Sequence, residues 1–281
     1  MNQVSAEVIT NRRILKELER FNRPDARNIS GSFIVWLRCP EIVSEARPGQ
    51  FVMVRCGDEC TLPRPFSIHQ IDNEGNLAIF YAVLEKGRGT NWLSQLKAGD
   101  MVEFFGPMGN GFSINRTSRN LLLIAGGIGI APLYFLANQA QTQGYKVLLL
   151  RGASGKSKPS GQQNPPQHYP EELLPCGIES KPITTTDDGT SDLVVDLITP
   201  QLVDWADQVF ACGPLPMYRT MARMPELKKK PVQVSLEVRM GCGLGVCYGC
   251  TVRTRNGLKQ ACKDGPVFEL DDIIWDELAN I

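Results

Sequence analysis

At 281 residues and 31.1 kDa the chain is long enough for two substantial domains, or for two and a small appendage, and 42% apolar residues supply a real core. Thirty basic side chains balance thirty acidic ones, so no net field gathers a polyanion and nucleic acid is a poor expectation. Polar residues interrupt the N-terminal segment MNQVSAEVITNRRIL at almost every step, which denies it the apolar core of a secretory signal and predicts a cytoplasmic protein.

From Ala6 to about Asn115 short apolar runs predict strands: AEVIT, FIVWLR, QFVMVRC, FSIHQI, LAIFYAVL and MVEFF, separated by turn residues such as RPGQ, DNEGN and KAGD. Strands at this spacing predict an antiparallel barrel, with the charged stretch KELERFNRPDARN looping out between the first two. Within it, LPRPFSIHQ holds residues suited to a flavin: Arg64 as a positive fork for phosphate, Phe66 as an aromatic face and Ser67 as a short hydrogen-bonding group. Alone, the same Arg64 reads equally as a surface charge beside a proline-bounded strand. YAVLEKGRGTNWL follows, where Gly87 and Gly89 precede Thr90 and a predicted helix, a loop able to offer N–H groups to a pyrophosphate.

From about Arg116 the pattern changes. LLLIA, KVLLL and QVFAC alternate with helix-like PLYFLANQAQTQG and PMYRTMARM, which predicts a parallel sheet with crossover helices. Leu121 to Ala137 carries no charge and reaches the lower limit for crossing a bilayer, but its glycines and proline predict strand, turn and helix instead. Gly126, Gly127 and Gly129 follow the strand and Pro132 enters the helix, the arrangement in which a helix N-terminus cradles phosphate. Pro132 stands where the dinucleotide fingerprint has its third glycine, and no acidic residue stands near Arg151 to grip a ribose hydroxyl, so NAD and NADP both stay open. GASGKS imitates a P-loop, but Gly152 and Gly155 are two residues apart where the motif needs four. Ser154 to Pro170, rich in Pro, Gln and Ser, predicts a surface loop. Cys212, Gly213 and Pro214 end a strand where open sheets hold their ligands, and Cys212 reads either as a site residue or as a buried one.

Four of the nine cysteines gather near the C-terminus as Cys242-x4-Cys247-x2-Cys250-x11-Cys262. Clustering favours a metal, whereas Cys39, Cys56, Cys60 and Cys176 read as inert small hydrophobes. Zinc ribbons present two short knuckles; here three cysteines share one loop and the fourth follows a hairpin predicted to turn at Asn256 and Gly257. The C-x4-C-x2-C order is that of plant-type [2Fe-2S] ligation, and Gly241, Gly243, Gly245 and Gly249 let such a loop bend. A zinc site, or disulfide exchange at Cys247 and Cys250, is the alternative.

RPFSI, GRGT, GGIGIAP, ACGP and the four-cysteine loop, in this order, resemble the ferredoxin-reductase superfamily. GPMGNGF and SLEVRMGCGLGVCYGC are most similar to the electron-transfer subunits of NAD-linked dihydroorotate dehydrogenases. The resemblance implies a multidomain β plus α/β fold: an FAD-binding antiparallel β-barrel over 1–115, a parallel-sheet α/β nucleotide-binding domain over 116–230 and a small [2Fe-2S] domain over 231–281. It implies that an FMN-containing catalytic subunit oxidises dihydroorotate and that electrons reach NAD(P) through this chain's cluster and FAD, in pyrimidine biosynthesis, within a heterotetramer of two chains of each kind. By position, Arg64, Pro65, Phe66, Ser67, Tyr81, Ala82, Val83, Gly89 and Thr90 hold FAD. Cys242, Cys247, Cys250 and Cys262 ligate the cluster, and Gly126, Gly127, Gly129 and catalytic Cys212 lie along the nicotinamide nucleotide. The long loop 154–170 departs from the family pattern, and Arg151, Lys156 and Lys158 offer charge for a 2′-phosphate. Two rival readings remain. One is the flavin and iron-sulfur subunit of an NADH-dependent ferredoxin:NADP oxidoreductase or of a sulfide dehydrogenase; the other is a zinc-stabilised nucleotide-binding module without redox activity.

Overall fold

The computed structural model describes residues 2–15, 29–154, 169–185 and 193–278. The charged stretch 16–28 and most of the Pro-rich segment, Lys156 and Lys158 included, lie outside them. Strands β1 (Asn2–Leu15), β2 (Ile29–Arg38), β3 (Phe51–Val54), β4 (Arg64–Ser67), β5 (Gln70–Ile71), β6 (Asn76–Leu84) and β7 (Met101–Met108) form one antiparallel sheet in the order β4-β3-β7-β1-β2-β6-β5. Helix α1 (Pro40–Val43) follows β2 and α2 (Arg88–Gln95) follows β6. The sheet curls enough for Phe66 on β4 and Tyr81 on β6 to meet edge to face, ring centroids 5.9 Å apart. Its inner face is apolar: Val35, Leu37, Val52, Val54, Ile79 and Phe104 are buried together.

The second sheet is built from β8 (Asn120–Gly126), β9 (Lys146–Ser154), β10 (Glu179–Thr185) and β11 (Gln208–Cys212), with α3 (Ile130–Thr142), α4 (Pro200–Trp205) and α5 (Leu215–Arg223). Leu121 to Gly126 are buried throughout, the continuous apolar run of a parallel strand covered on both faces. After α5 come β12 (Val232–Ser235), a separate hairpin of β13 (Thr251–Thr254) and β14 (Gly257–Gln260), and β15 (Val267–Glu269). The order β10-β9-β8-β11-β12-β15 is parallel except for β15, which pairs antiparallel with β12. A C-terminal segment too short for its own core thus extends its neighbour's sheet, and Leu270, Ile273 and Trp275 join that core. The hairpin turns at Arg255 and Asn256, and Gly257, at φ +95°, opens β14.

Helix α3 explains the uncharged stretch. Leu133, Leu136 and Ala137 pack against the parallel sheet while Phe135 reaches the barrel core, so no face needs charge. Among the described residues no helix is long and apolar enough to cross a membrane. His69 of the barrel, fully buried, bonds through Nδ1 to the Ala131 carbonyl of α3 at 2.9 Å, and its Nε2 lies 3.2 Å from the Tyr169 hydroxyl. Tyr169 sits in the predicted surface loop, yet it is 2% exposed and packs on His69, Phe80 and Tyr134. The loop's C-terminal end is therefore core, because an aromatic ring there seals the joint between the two sheets.

Candidate cofactor and electron-transfer site

Strand β4 holds Arg64, Pro65, Phe66 and Ser67 half-buried at the sheet edge, paired only to β3 within the sheet. Tyr81 stacks on Phe33 at 5.7 Å, and its hydroxyl donates to Asn11 Oδ1 at 3.2 Å. Ala82 and Val83 continue the same strand. Beyond it, Thr90 Oγ1 accepts from the Leu84 N–H at 3.2 Å, while Asn91 Nδ2 donates to the carbonyls of Leu84 and Gly87 at 2.8 and 2.7 Å. These bonds hold the Glu85–Gly87 turn rigid. The N-cap Gly87 supplies no side-chain cap, so first-turn amides stay available to an anion. Gly89 is the point of close approach: a methyl there would lie 3.2 Å from Arg64 Cγ and 3.3 Å from Cys56 Sγ. Arg64 thus crosses the helix N-terminus, and positive fork, free amides and aromatic wall suit a flavin with its diphosphate.

The chain runs β8 to β10 on one side of the second sheet and returns to add β11 on the other. The crevice at the C-terminal ends of β8 and β11 is therefore the switch point where open sheets bind ligands. Gly126 to Gly129 and Cys212 to Pro214 meet there. A side chain on Gly129 would run into the Cys212 carbonyl, and one on Gly126 would lie 2.7 Å from Pro214 Cδ. Gly127 adopts φ +57°. Cys212 is 1% exposed, and burial, then the Glu237 carboxylate, pushes its thiol well above the ordinary range. This environment favours the protonated thiol over the thiolate. Tyr218, which the sequence did not single out, accepts from the Gly213 N–H at 2.8 Å and donates to the Ser235 carbonyl at 2.6 Å, fixing the turn.

Arg151 does not face this crevice as an open phosphate ligand. It is 3% exposed, with Nε donating to Ser180 Oγ at 2.8 Å, one terminal nitrogen to the Tyr169 carbonyl at 2.9 Å, and Glu171 3.7 Å from the other. Through the Tyr169 carbonyl it anchors the end of the 154–170 segment, while Nη2 is buried with no hydrogen-bond partner among the described residues.

The four clustered cysteines differ in burial. Cys242 is half-buried and Cys247 exposed at the surface, while Cys250 and Cys262 are buried in the interior. Backbone amides point at the sulfurs: Leu244 N–H to Cys242 at 3.3 Å, Gly245 N–H to Cys262 at 3.2 Å and Cys262 N–H to Cys250 at 3.4 Å. Burial raises the Cys242 thiol, but the amides of Leu244, Cys247 and Val246 outweigh it and pull the pKa down to about 6. For Cys262, burial and the neighbouring Cys250 thiol prevail and push it up to about 12. Four thiolates would hold two irons, and amides aimed at sulfur would stabilise a cluster's added negative charge, so the donor set fits [2Fe-2S]. Among the described residues no three His, Cys, Asp or Glu side chains converge on a single-ion site. Gly243 and Gly245 have φ of +71° and +78°. At Gly241 and Gly249 a Cβ would lie 3.5 and 3.6 Å from the Cys247 sulfur, ordinary van der Waals contact, so sterics alone do not require glycine at either position.

A family model described as the iron-sulfur cluster binding domain of dihydroorotate dehydrogenase B matches residues 237–274, and one described as an oxidoreductase FAD-binding domain matches 31–112. The dihydroorotate dehydrogenase B (NAD(+)) electron transfer subunit of Clostridium acetobutylicum is 37% identical over 237 residues, spanning 83% of this chain and 88% of that protein. The chain belongs to this family. The subunit of the same name from Geobacillus kaustophilus is also 37% identical, over 83% of this chain and 89% of its own. In three dimensions the chain is similar to a solved NADH-dependent reduced ferredoxin-NADP oxidoreductase, with TM-score 0.77, 26% identity, and coverage of 98% of this chain and 91% of that one. A ferredoxin reductase of carbazole 1,9a-dioxygenase shares the fold at TM-score 0.62 and 21% identity, over 83% and 68% of the two chains. The family's three parts are all recognisable here: curled FAD-type sheet, mixed nucleotide-binding sheet and iron-sulfur segment. Asn91 and Tyr218, which brace the two loops, belong to no motif: Asn91 lies one residue beyond GRGT and Tyr218 four beyond ACGP.

Proposed function

We propose that the chain is the electron-transfer subunit of an NAD-linked dihydroorotate dehydrogenase, with unit boundaries near residues 115 and 230. The observation that carries the reading is the seating of the four-cysteine loop on β3, beside the strand bearing Arg64 to Ser67, in a chain 37% identical to such subunits. FAD held by these residues would supply the link between hydride transfer with nicotinamide and single-electron transfer with a [2Fe-2S] centre.

This chain's residues bind, orient and exclude water. Arg64 and the amides of Gly89 and Thr90 take the diphosphate. Phe66, Ser67 and Tyr81 to Val83 line the ring system, and Gly126, Gly127 and Gly129 admit the nicotinamide nucleotide. Cys212 bounds the nicotinamide space as a neutral thiol. Cys242, Cys247, Cys250 and Cys262 ligate the cluster. Arg151 is 3% exposed, and this burial supports NAD over NADP.

The partner is an FMN-containing catalytic subunit, assembled as two chains of each kind in the cytoplasm. Around the exposed Cys247, Val246 and Tyr248 are each 70% exposed and Leu62 51%, an apolar rim suited to burial by that subunit. Co-expressed with it, the chain is expected to purify as a complex that reduces NAD with dihydroorotate under anaerobic conditions. The likeness to the ferredoxin-NADP oxidoreductase over 98% of this chain favours a second reading. A complex that reacts with reduced ferredoxin and NADP but not with dihydroorotate contradicts the first.

A further inference from the structure

Strand β3 is buried on both faces, and the two faces serve different neighbours. Val52 and Val54 turn into the barrel core, while Phe51 and Met53 turn outward, as the two-residue period of a strand requires. The outward pair meets no solvent: Met53 is 0% exposed, and it packs with Phe51 and Met108 against Cys250, Ala261 and Cys262. Along its edge the strand pairs with β4, Met53 opposite Pro65. One methionine therefore touches the cysteine loop with its side chain and the proposed flavin strand through its backbone pairing.

The contact is close enough to dictate the residue across it. A methyl on Gly243 would lie 2.6 Å from Met53 Cγ and 3.1 Å from its sulfur, and Gly243 adopts φ +71°. Gly243 follows Cys242 directly, and Cys250 and Cys262 are 4% and 1% exposed against the same wall. We propose that Met53 is a positioning residue: its thioether side chain sets how closely the cysteine loop sits on the flavin-bearing sheet and keeps water out of the layer between them. The proposal rests on the functional reading above. In a dry apolar layer every nearby dipole weighs more on a redox centre than it does in water, and exposure and hydrogen bonding set a cluster's potential. A flexible, polarisable thioether fills such an irregular gap without adding a hydrogen-bond donor.

The test uses the full chain reconstituted anaerobically with FAD, iron and sulfide. Gly243→Ala is expected to lower the iron retained per flavin by about threefold or more. Met53→Ala in the same chain is expected to restore roughly half of that loss, because shortening the side chain makes room for the methyl. Losses that simply add overturn the proposal. In the loaded protein, Met53→Gln brings an amide to the layer and is expected to shift the electron partition between flavin and cluster about tenfold toward the cluster, ~59 mV for one electron. Met53→Leu stays within about twofold, as an apolar exchange of similar volume does. An unchanged partition in loaded Met53→Gln also overturns it. A wild-type chain that takes up neither iron nor flavin contradicts the proposed function itself, whereas a loaded wild type with additive variants contradicts this inference alone.

Discussion

A single buried imidazole shows how one residue ties chemistry to stability. Burial pushes His69 down to about 3, against the hydrogen bond to Ala131 that works the other way, and Phe80, Tyr134 and Tyr169 surround the ring. The folded state holds the neutral form, so the unfolded chain binds the extra proton. Stability is complete above the ordinary histidine pKa near 6.5 and falls as pH drops below it, by about 1.4 kcal/mol at pH 5.5, and the loss continues toward pH 3. Urea unfolding of the wild type and of His69→Gln between pH 8 and 5 checks this. The wild type is expected to lose stability more steeply below pH 6.5; parallel profiles contradict the account. His69 was invisible as a structural residue in the sequence, because its partners Ala131 and Tyr169 lie 62 and 100 positions away.

At the level of elements, β4 and the N-terminus of α2 act as one cradle, so the cost of losing Arg64 is a binding cost. Arg64→Ala is expected to weaken FAD by about 2 kcal/mol, roughly thirtyfold in Kd, with Arg64→Lys in between because a point charge lacks the guanidinium fork. Fluorescence titration of FAD into the apoprotein reads both, and equal affinities would remove Arg64 from the diphosphate site. The strands and the glycine loops were legible because alternation, apolar runs and turn residues are local signals. β12 and β15 joining the second sheet were not, since β12 pairs with β11 and β15 with β12 through contacts between distant residues. The Pro-rich segment misled at its end for the same reason: composition announced a surface loop, and only the packing on Phe80 and Tyr134 makes Tyr169 core.

Across the whole molecule, the two sheets and the cysteine segment share walls. α3 closes the joint between the sheets, and β3 carries the barrel core on one face and the cysteine loop on the other. The order of the motifs implied three connected segments; their physical contact through β3 came only with the fold. The cysteines show the same divide, since Cys39, Cys56 and Cys60 are buried as expected while Cys176 is exposed, and the ligand set was fixed by spacing alone. Cys250 and Cys262 lie in the interior and Cys247 at the surface, so under the proposed function the loop spans from a docked subunit to the flavin-bearing sheet. The most direct test is analysis of the anaerobically purified chain for flavin, iron and acid-labile sulfide, followed by addition of NADH under electron paramagnetic resonance. The account predicts one FAD with two irons and two sulfides per chain, and a reduced-cluster signal on NADH addition that Cys250→Ser abolishes. A colourless protein holding one zinc, or a loaded chain whose signal is unchanged in Cys250→Ser, would contradict it.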